Sequence, residues 1–266
     1  MNAIILAAGR GIRMQPWTET WPKVLFRVGG KPLLTYHVER LNAVGVADIV
    51  VTAWHLWERI GEWWDGIRKD YPGIRIFVEP ELLPTGTACR TVMEDSKWRR
   101  AVIVNGDTWQ PPEVYDELQY LYGDSRRHFI FTEPPGSKRN GLVEYNETTR
   151  RITRIGEHGG LTRANGRNSG IVILSSDVVA GRGGDLMTDM LSAQRSLFAH
   201  LVPGGIDAGT PEGYAGLWYQ EYYGRPAPRE FIETATRLIR IPGGPLFAAM
   251  FDGLTGEDIA RCIDHS

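Results

Sequence analysis

Several cationic and small residues near the start of this sequence have types and spacing that suit an anionic ligand. Gly9, Gly11 and Arg13 lie in a run of mostly small residues directly after the apolar residues 3–6. Small residues let the backbone approach a ligand, successive N–H groups form a concave anion site, and arginine adds a planar charged fork. Lys23 follows ten residues after Arg13 and supplies a second cation. This pattern predicts a polyphosphate-binding loop.

Two common phosphate-binding motifs are excluded for this loop. A Walker loop requires G-x-x-x-x-G-K-[ST], and the segment does not contain it. A dinucleotide fingerprint requires G-x-G-x-x-G, but Met14 stands where the third glycine belongs. The glycine pattern therefore disfavours a dehydrogenase.

Two aspartates occupy positions where an α/β sheet could hold a metal beside a polyphosphate. Asp107 comes shortly after the apolar residues 101–104, and the carboxyl ends of parallel strands face the ligand-binding crevice. Asp207 precedes a predicted helix start, where Thr210 suits the N-cap and Pro211 the first helical position. Two such carboxylates and a polyphosphate can together hold Mg²⁺. The alternative for each aspartate is a capping or turn role.

The elements that must carry these residues alternate between strand and helix in the first half of the chain. Apolar runs predict the strands, and helical spacing of apolar residues predicts the helices between them. The predicted strands are residues 3–6, 48–53, 74–78 and 101–105, and the predicted helices are residues 34–44, 55–69 and 87–97. This order indicates βαβ units and a parallel sheet with helices on both faces.

The pattern changes from about residue 127, where strand-like segments separated by turns replace the regular alternation. These segments are residues 129–132, 142–145, 151–155 and 170–174, and helices are predicted near 185–195, 211–222, 231–239 and 256–263. We therefore predict the α/β fold class, with a mixed, mostly parallel central sheet flanked by helices.

Composition sets further bounds on the function. The 266 residues suit one large α/β domain with a small appendage, and a formal net charge of −2 gives no basic field for nucleic acid. No apolar run has the length of a membrane span, and the first strand begins too early for a signal peptide. Cys89 and Cys262 are too few for a disulfide framework or a zinc site. We expect a cytoplasmic protein that binds neither nucleic acid nor membrane.

The wider segment around the loop resembles the signature of the sugar-1-phosphate nucleotidyltransferases, L-A-x-G-x-G-T-R-L-x-P followed by P-K and G-x-P-L. The matching residues are Leu6, Ala7, Gly9, Gly11, Arg13, Pro16, Pro22, Lys23, Gly30, Pro32 and Leu33. Ile12 stands in place of the usual threonine and Met14 in place of leucine. The resemblance also includes the G-D motif at Asp107 and the D-x-G-T-P motif at Asp207, and it covers about residues 1–223.

This resemblance implies a Rossmann-like fold of the nucleotide-diphospho-sugar transferase type. It implies Mg²⁺-dependent transfer of a nucleotidyl group from an NTP to a sugar-1-phosphate, which yields an NDP-sugar and pyrophosphate. The implied catalytic residues are Arg13, Lys23 and Asp107, and the implied metal ligands are Asp107 and Asp207. The implied nucleotide-binding residues are Leu6, Ala7, Ala8, Gly9, Gly11, Arg13, Lys23, Glu79, Gly86 and Asp107. The implied acceptor-binding residues are Gly141, Glu157, His158 and Asn168.

The change of pattern near residue 127, the linker-like run after Tyr223 and the extent of the resemblance together suggest the division of the chain. Residues 1–223 form the predicted nucleotidyltransferase domain, with a nucleotide-binding part at about 1–125 and an acceptor-binding part at about 126–223. Residues 224–266 form a predicted C-terminal helical extension, either a capping element or a contact in a homo-oligomer.

One departure from the family pattern concerns the acceptor. The family usually has E-K-P where this chain has Glu157, His158 and Gly159, and that lysine binds the acceptor phosphate. His158 can replace the lysine when it is protonated or as a neutral donor, because its ordinary pKa lies near 6.5. Arg154 or Arg163 is the alternative phosphate ligand, and a different acceptor is a further one.

Two other functions remain open at this stage. A cytidylyltransferase that acts on phosphocholine or another non-sugar phosphate fits the His158 departure and the nine tryptophans, since an aromatic wall can hold a quaternary ammonium. The other interpretation of the tryptophans is packing between helices and sheet. A non-catalytic subunit that senses nucleotide sugars is favoured by Ile12 and His158 but disfavoured by the intact Arg13, Lys23 and aspartates. The sequence does not identify the nucleobase or the acceptor.

Overall fold

The computed structural model describes residues 1–135, 141–156, 161, 163–179, 184–192 and 196–239. Their strands are β1 Asn2–Leu6, β2 Arg27–Val28, β3 Lys31–Pro32, β4 Asp48–Ala53, β5 Ile74–Val78, β6 Arg100–Asn105, β7 Thr108–Trp109, β8 His128–Glu133, β9 Leu142–Tyr145, β10 Ile152–Gly156, β11 Gly166–Ser175, β12 Leu197–Leu201 and β13 Ile206–Asp207. Their α-helices are α1 Leu33–Ala43, α2 Trp57–Ile67, α3 Thr85–Asp95, α4 Pro112–Asp116, α5 Leu118–Gly123, α6 Ser176–Val179, α7 Leu186–Ser192, α8 Pro211–Tyr223 and α9 Arg229–Ile239. Short 3-10 turns occur at Ile12–Met14, Trp17–Glu19 and Lys23–Leu25.

Nine of these strands form one mixed sheet in the order β10-β9-β11-β6-β1-β4-β5, with β8 beside β11 and β12 beside β8. Strands β6, β1, β4 and β5 are parallel neighbours, as the alternation of the first half predicts. Strand β11 pairs antiparallel with β6, β8 and β9, and β10 pairs antiparallel with β9. Seven of the nine strands consequently run in one direction and only β10 and β11 run against them, which confirms the predicted mixed, mostly parallel sheet.

The apolar strand β1 divides its side chains between two cores because successive residues of a strand point to opposite faces. Ala3 and Ile5 pack with residues of α1, α2 and α5 on one face of the sheet. Ile4 packs with residues of α3, α6 and α7 on the other face. Helices therefore cover both faces of the sheet, and the side chains of these three β1 residues are fully buried.

A third core lies under the segment that follows the phosphate loop. It joins Met14 and Trp17 to Trp109 of β7 and to Trp218 of α8. Phe231 of α9 stacks on Trp218 with ring planes 8° apart and centroids 6.3 Å apart. Three of the nine tryptophans thus pack inside this core, in agreement with the packing interpretation.

The sequence-based assignment differs from the structure in several elements. Helix α3 begins at Thr85, two residues before the predicted start, and α4, α5 and β12 lie where no element was predicted. Strand β12 was missed because its five residues, LFAHL, do not alternate between apolar and polar side chains, although Leu197 and Ala199 are the buried ones. The predicted helix at 256–263 lies outside the described residues. No helix among the residues that the structure describes has the length and apolar character to cross a membrane.

Candidate active site

The loop after β1 folds back on itself around Gly11. Gly11 has φ +65°, and a Cβ there would lie 2.7 Å from Cγ2 of Thr18, so the backbone conformation and the packing both favour glycine. The Thr18 hydroxyl donates to the Gly11 carbonyl oxygen at 2.9 Å, and the Met14 N–H donates to the same carbonyl at 2.7 Å. These contacts close the turn and fix Arg13 at the end of the loop.

Two cations and two carboxylates meet beside this loop. The Lys23 ammonium forms a hydrogen-bonded ion pair with Oδ2 of Asp107. The Arg13 guanidinium lies between the two acids, with Nη1 3.1 Å from Asp207 Oδ2 and Nη2 4.0 Å from Asp107 Oδ2. A Cβ on Gly9 would lie 3.9 Å from Cε and Nζ of Lys23, which places this ammonium over the loop. The structure therefore brings together the three predicted catalytic residues and both predicted metal ligands.

A two-stranded ladder brings the two aspartates together although they are one hundred residues apart in sequence. Strands β7 and β13 pair antiparallel, and Asp207 lies directly opposite Thr108, the neighbour of Asp107. The turn after Asp207 then passes closely over both acids. A Cβ on Gly209 would lie 2.5 Å from Asp107 Oδ2 and 3.0 Å from Asp207 Oδ1. Only glycine fits there without displacing the carboxylates.

Two adjoining cavities open on either side of this charged cluster. The small cavity has a volume of about 240 Å³ and is lined by Gly9, Lys23, Glu79, Leu82 and Ala88, among others. The large cavity has a volume of about 750 Å³ and is lined by Arg13, Gly141, Arg167, Asn168, Asp185 and Asp207, among others. Leu6, Thr85, Asn105 and Asp107 line both cavities. Asp107 therefore lies at their junction.

The small cavity is lined by six of the ten predicted nucleotide-binding residues, Leu6, Ala8, Gly9, Lys23, Glu79 and Asp107. Of the other four, Arg13 lines the large cavity, and Ala7, Gly11 and Gly86 line neither. Glu79 is buried, its carboxylate accepts the Leu83 N–H at 2.9 Å, and burial raises its pKa. Gly86 packs away from the cavity, since a Cβ there would lie 2.6 Å from Oδ2 of Asp189 on α7. Thr85 and Ala88 of the same helix line the cavity instead. The small residue at Gly86 is thus needed for packing between α3 and α7.

The large cavity contains two of the four predicted acceptor-binding residues. Gly141 has φ +64°, and its carbonyl oxygen accepts the Asn168 N–H at 2.8 Å. The Asn168 side-chain oxygen accepts the Gly170 N–H at 2.9 Å, which holds the bulge of β11. Glu157 and His158 lie outside the described residues.

Three charged residues of the large cavity were missed by the sequence analysis. Arg167 and Glu133 form an ion pair across β11 and β8, and Asp185 accepts the Thr85 hydroxyl at 3.2 Å. The position of Arg167 directly before the recognised Asn168 was the available signal. Glu133 and Asp185 match no motif, because only strand pairing and the α3–α7 contact bring them to the cavity.

The residue types at the junction suit a hard divalent cation. No group of three or more histidine, cysteine or acidic side chains that could hold a metal occurs in the described ranges. Mg²⁺ commonly uses one or two protein carboxylates together with water and substrate phosphate oxygens. The pair Asp107 and Asp207 matches that requirement and does not match a fully protein-ligated metal site.

Comparisons with known proteins place this site in a family. The chain matches the family model described as nucleotidyl transferase over residues 2–200. It is 26% identical over 232 residues to "Probable mannose-1-phosphate guanylyltransferase 2" of Arabidopsis thaliana, which covers 80% of this chain and 63% of the plant protein. Over 57 residues it is 53% identical to N-acetylmuramate alpha-1-phosphate uridylyltransferase of Neisseria meningitidis, covering 21% of this chain and 24% of that protein. The chain thus spans less than two thirds of the length of these curated relatives.

The fold has counterparts among solved structures. A crystal structure of UDP-glucose pyrophosphorylase complexed with UDP-glucose superposes with a TM-score of 0.73 at 19% identity, covering 84% of this chain and 99% of that chain. This similarity confirms the predicted Rossmann-like arrangement. Since the family model matches most of the chain, the protein is a member of the nucleotidyl transferase family.

Proposed function

We propose that this protein transfers a nucleotidyl group from an NTP to a sugar-1-phosphate and releases pyrophosphate. The observation that carries the proposal is the junction of the two cavities, where Asp107 separates a space lined by the phosphate loop from a larger, polar one. A transferase of this kind needs two substrates on either side of the reacting phosphorus. The named activities of the relatives, a guanylyltransferase and a uridylyltransferase acting on sugar-1-phosphates, support the same reaction.

The small cavity is assigned to the NTP in this proposal. The backbone N–H groups of residues 8–11 bind the β- and γ-phosphates together with the Arg13 guanidinium, which reaches them from the adjoining large cavity. Lys23 neutralises charge near the α-phosphate. Lys23 and Arg13 already contact Asp107 and Asp207, so both cations lie within a side-chain rotation of an incoming phosphate. Leu82, Leu83 and Ala88 provide apolar surface for the nucleobase.

Asp107 and Asp207 are assigned to Mg²⁺ because their carboxylates converge on Gly209. When bound, the ion neutralises the phosphate charge that develops during the reaction. The two carboxylates leave the remaining ligand positions to phosphate oxygens and water.

The acceptor is activated by its own charge. A phosphate monoester is largely ionised at neutral pH because its second pKa is near 6, so no general base is required. One of its oxygens forms a bond to the α-phosphorus while the bond from that phosphorus to the β-phosphate oxygen breaks, and pyrophosphate leaves with the bonding pair. The protein contributes orientation and charge neutralisation.

The test is pyrophosphate release by the purified protein with Mg²⁺, each of the four NTPs and a panel of acceptors. The panel contains glucose-1-phosphate, mannose-1-phosphate, N-acetylmuramate-1-phosphate and phosphocholine. Turnover with a sugar-1-phosphate supports the proposal and identifies both substrates. Turnover with phosphocholine alone contradicts the sugar assignment, and nucleotide binding without any turnover favours a sensing subunit. No tryptophan is in the lining of either cavity within the described part of the chain, which weakens the phosphocholine alternative.

We also infer a cytoplasmic location, which fits an enzyme that consumes NTP. Homo-oligomerisation through residues 224–266 is tested by the molar mass in solution, which should be a multiple of that of one chain.

A further inference from the structure

The lining of the large cavity includes a cation, Arg167, that has no role in the proposed reaction as described above. Among the described residues of its lining, the cationic side chains are Arg13 and Arg167. Arg13 is held by Asp207 beside the phosphate loop at 3.1 Å. Arg167 comes from β11 in the acceptor half and forms its ion pair with Glu133. Asp207 and both arginines line the same cavity.

The orientation of the Arg167 guanidinium is restricted by a buried acid. Its Nη2 donates to Oε1 of Glu133, a residue that is only 4% exposed. The other Glu133 oxygen accepts the Gly205 N–H at 2.6 Å. Because Glu133 is anchored by the backbone, its ion pair restricts the orientation of the Arg167 guanidinium, and a restricted guanidinium loses less entropy on binding an oxyanion.

The Arg167 guanidinium has N–H donors left for a ligand. Arginine has five N–H donors, and the ion pair with Glu133 occupies Nη2. The Nε of Arg167 is buried and has no hydrogen-bond partner among the described residues. The side chain is 18% exposed and lines the cavity, so an anion there would be reached by the remaining N–H groups of the guanidinium rather than by this buried Nε.

The two arginines suggested by the sequence are poorly placed for this task. Arg154 on β10 is 61% exposed at its side chain and faces Glu144 at 3.8 Å. Arg163 is exposed, and neither Arg154 nor Arg163 is in the lining of either cavity. Arg167 combines a restricted orientation with a position in the cavity that Asp207 also lines.

We propose that Arg167 binds the phosphate group of the acceptor and positions it for attack. The assignment rests on the proposed function. The attacking phosphate must come within about 3.5 Å of the α-phosphorus, and in the proposed reaction the α-phosphate would lie beside Asp107 and Asp207, the residues that would hold Mg²⁺. A guanidinium in the cavity that Asp207 also lines can bind the non-attacking oxygens in bidentate fashion.

The test compares variants that differ only in this cation. Arg167→Met alone would leave Glu133 as a buried carboxylate without its charged partner and could unfold the protein. The informative pair is therefore Glu133→Gln and the double variant Glu133→Gln/Arg167→Met, with Glu133→Gln/Arg167→Lys as the conservative change. Arg154→Met is the matched control, because it removes an exposed arginine outside both cavities.

We expect the Met double variant to raise the KM for the sugar-1-phosphate about 10- to 100-fold over Glu133→Gln while the KM for the NTP stays within about twofold. The Lys variant should recover part of the loss. In calorimetry with Mg²⁺ and a non-hydrolysable NTP analogue, the Met double variant should bind the sugar-1-phosphate more weakly than Glu133→Gln does. Its affinity for the free sugar should be unchanged.

The outcomes separate this assignment from the proposed function. If the unaltered protein turns over and the acceptor KM is equal for Glu133→Gln and its Met double variant, only the role of Arg167 is overturned. The proposed function then stands. An equal loss of affinity for the free sugar also overturns the role of Arg167, since the arginine would then bind hydroxyl groups or shape the cavity. Absence of turnover by the unaltered protein with every acceptor overturns the proposed function, and the assignment falls with it.

Discussion

The residues at the junction form a charge-balanced cluster of two cations and two carboxylates. Lys23 and Asp107 are only 16% and 17% exposed at their side chains, whereas Arg13 is 55% exposed. Sheltered charges interact more strongly than surface charges because less water screens them. In the proposed reaction the same cations leave the carboxylates for phosphate oxygens when the carboxylates bind Mg²⁺. The fold itself thus assembles this cluster.

We predict that Asp107→Asn or Lys23→Ala lowers kcat/KM for pyrophosphate release by at least about 10³-fold, because each removes a charge that faces the reacting phosphates. The side chains lie at a cavity rim, so circular dichroism and the melting temperature should show a folded protein. Asp65→Asn, which changes an exposed acid of α2 paired with Arg68, serves as the control and should retain activity. Unchanged pyrophosphate release by Asp107→Asn would refute the metal assignment.

At the scale of elements, the turn between β13 and α8 positions Asp207, one of the two predicted metal ligands. The Thr210 hydroxyl accepts the Gly213 N–H at 3.1 Å and Pro211 takes the first helical position, which confirms the predicted helix start. Gly209 lies between this cap and the two aspartates. The cap of α8 and the position of Asp207 therefore depend on the same few residues.

We predict that Gly209→Ala impairs activity by about 10²-fold, since the new methyl group would lie 2.5 Å from Asp107 Oδ2 and must displace a metal ligand. Overpacking of this kind costs about 1–3 kcal/mol of unfolding free energy. Gly216→Ala in α8 is the matched control, because a Cβ there has no neighbour within 4 Å and alanine favours a helix. Steady-state kinetics of both variants check this prediction, and equal activities would contradict it.

Helix α9 covers an aromatic surface of α8. Phe231 contacts Trp218 and Tyr219, with centroids 6.3 and 4.6 Å away. We predict that Phe231→Ala lowers the free energy of unfolding by about 1–3 kcal/mol, because it removes a half-buried ring from an aromatic cluster. Urea unfolding followed by tryptophan fluorescence measures the change. The exposed neighbour Glu230→Ala should change stability by less than about 0.5 kcal/mol, and similar losses in both variants would argue against the packing role of Phe231.

At the scale of the whole molecule, a buried histidine makes stability depend on pH. His37 of α1 is fully buried, and its Nδ1 lies 2.7 Å from the Tyr115 hydroxyl of α4. Burial, assisted by the charge of Arg40, lowers the pKa of His37 from 6.5 to about 4. The unfolded chain therefore binds a proton at this residue at a higher pH than the folded chain does. Stability from the neutral imidazole is present above pH 6.5 and is lost as the pH falls from 6.5 to 4.

We predict that the titration of His37 alone lowers the free energy of unfolding by about 2–3 kcal/mol between pH 7 and pH 4.5. His37→Gln cannot titrate, so its unfolding free energy should fall less over the same interval, whatever its stability at pH 7. Urea titrations of both proteins at the two pH values give the difference. Parallel pH dependence in the two proteins would mean that His37 does not titrate as described.

The sequence determined the elements whose signals are local. Strand β1, the loop to Arg13, and Asp107 after β6 are each contained in a short segment with its own apolar pattern and small residues. The helix start at Thr210 and Pro211 is equally local, because a cap involves residues three positions apart. The order of these motifs also sufficed to identify the family.

Tertiary structure alone decided how distant segments combine. The β7–β13 ladder sets Asp207 beside Asp107, the β8–β11 pairing joins Glu133 to Arg167, and the α3–α7 contact turns Gly86 away from the small cavity. Each depends on register between segments tens of residues or more apart, and a register shift of one residue would reverse which side chains face the site. A single sequence carries no local signal of that register, which is why the phosphate loop was predictable and Arg167 was not.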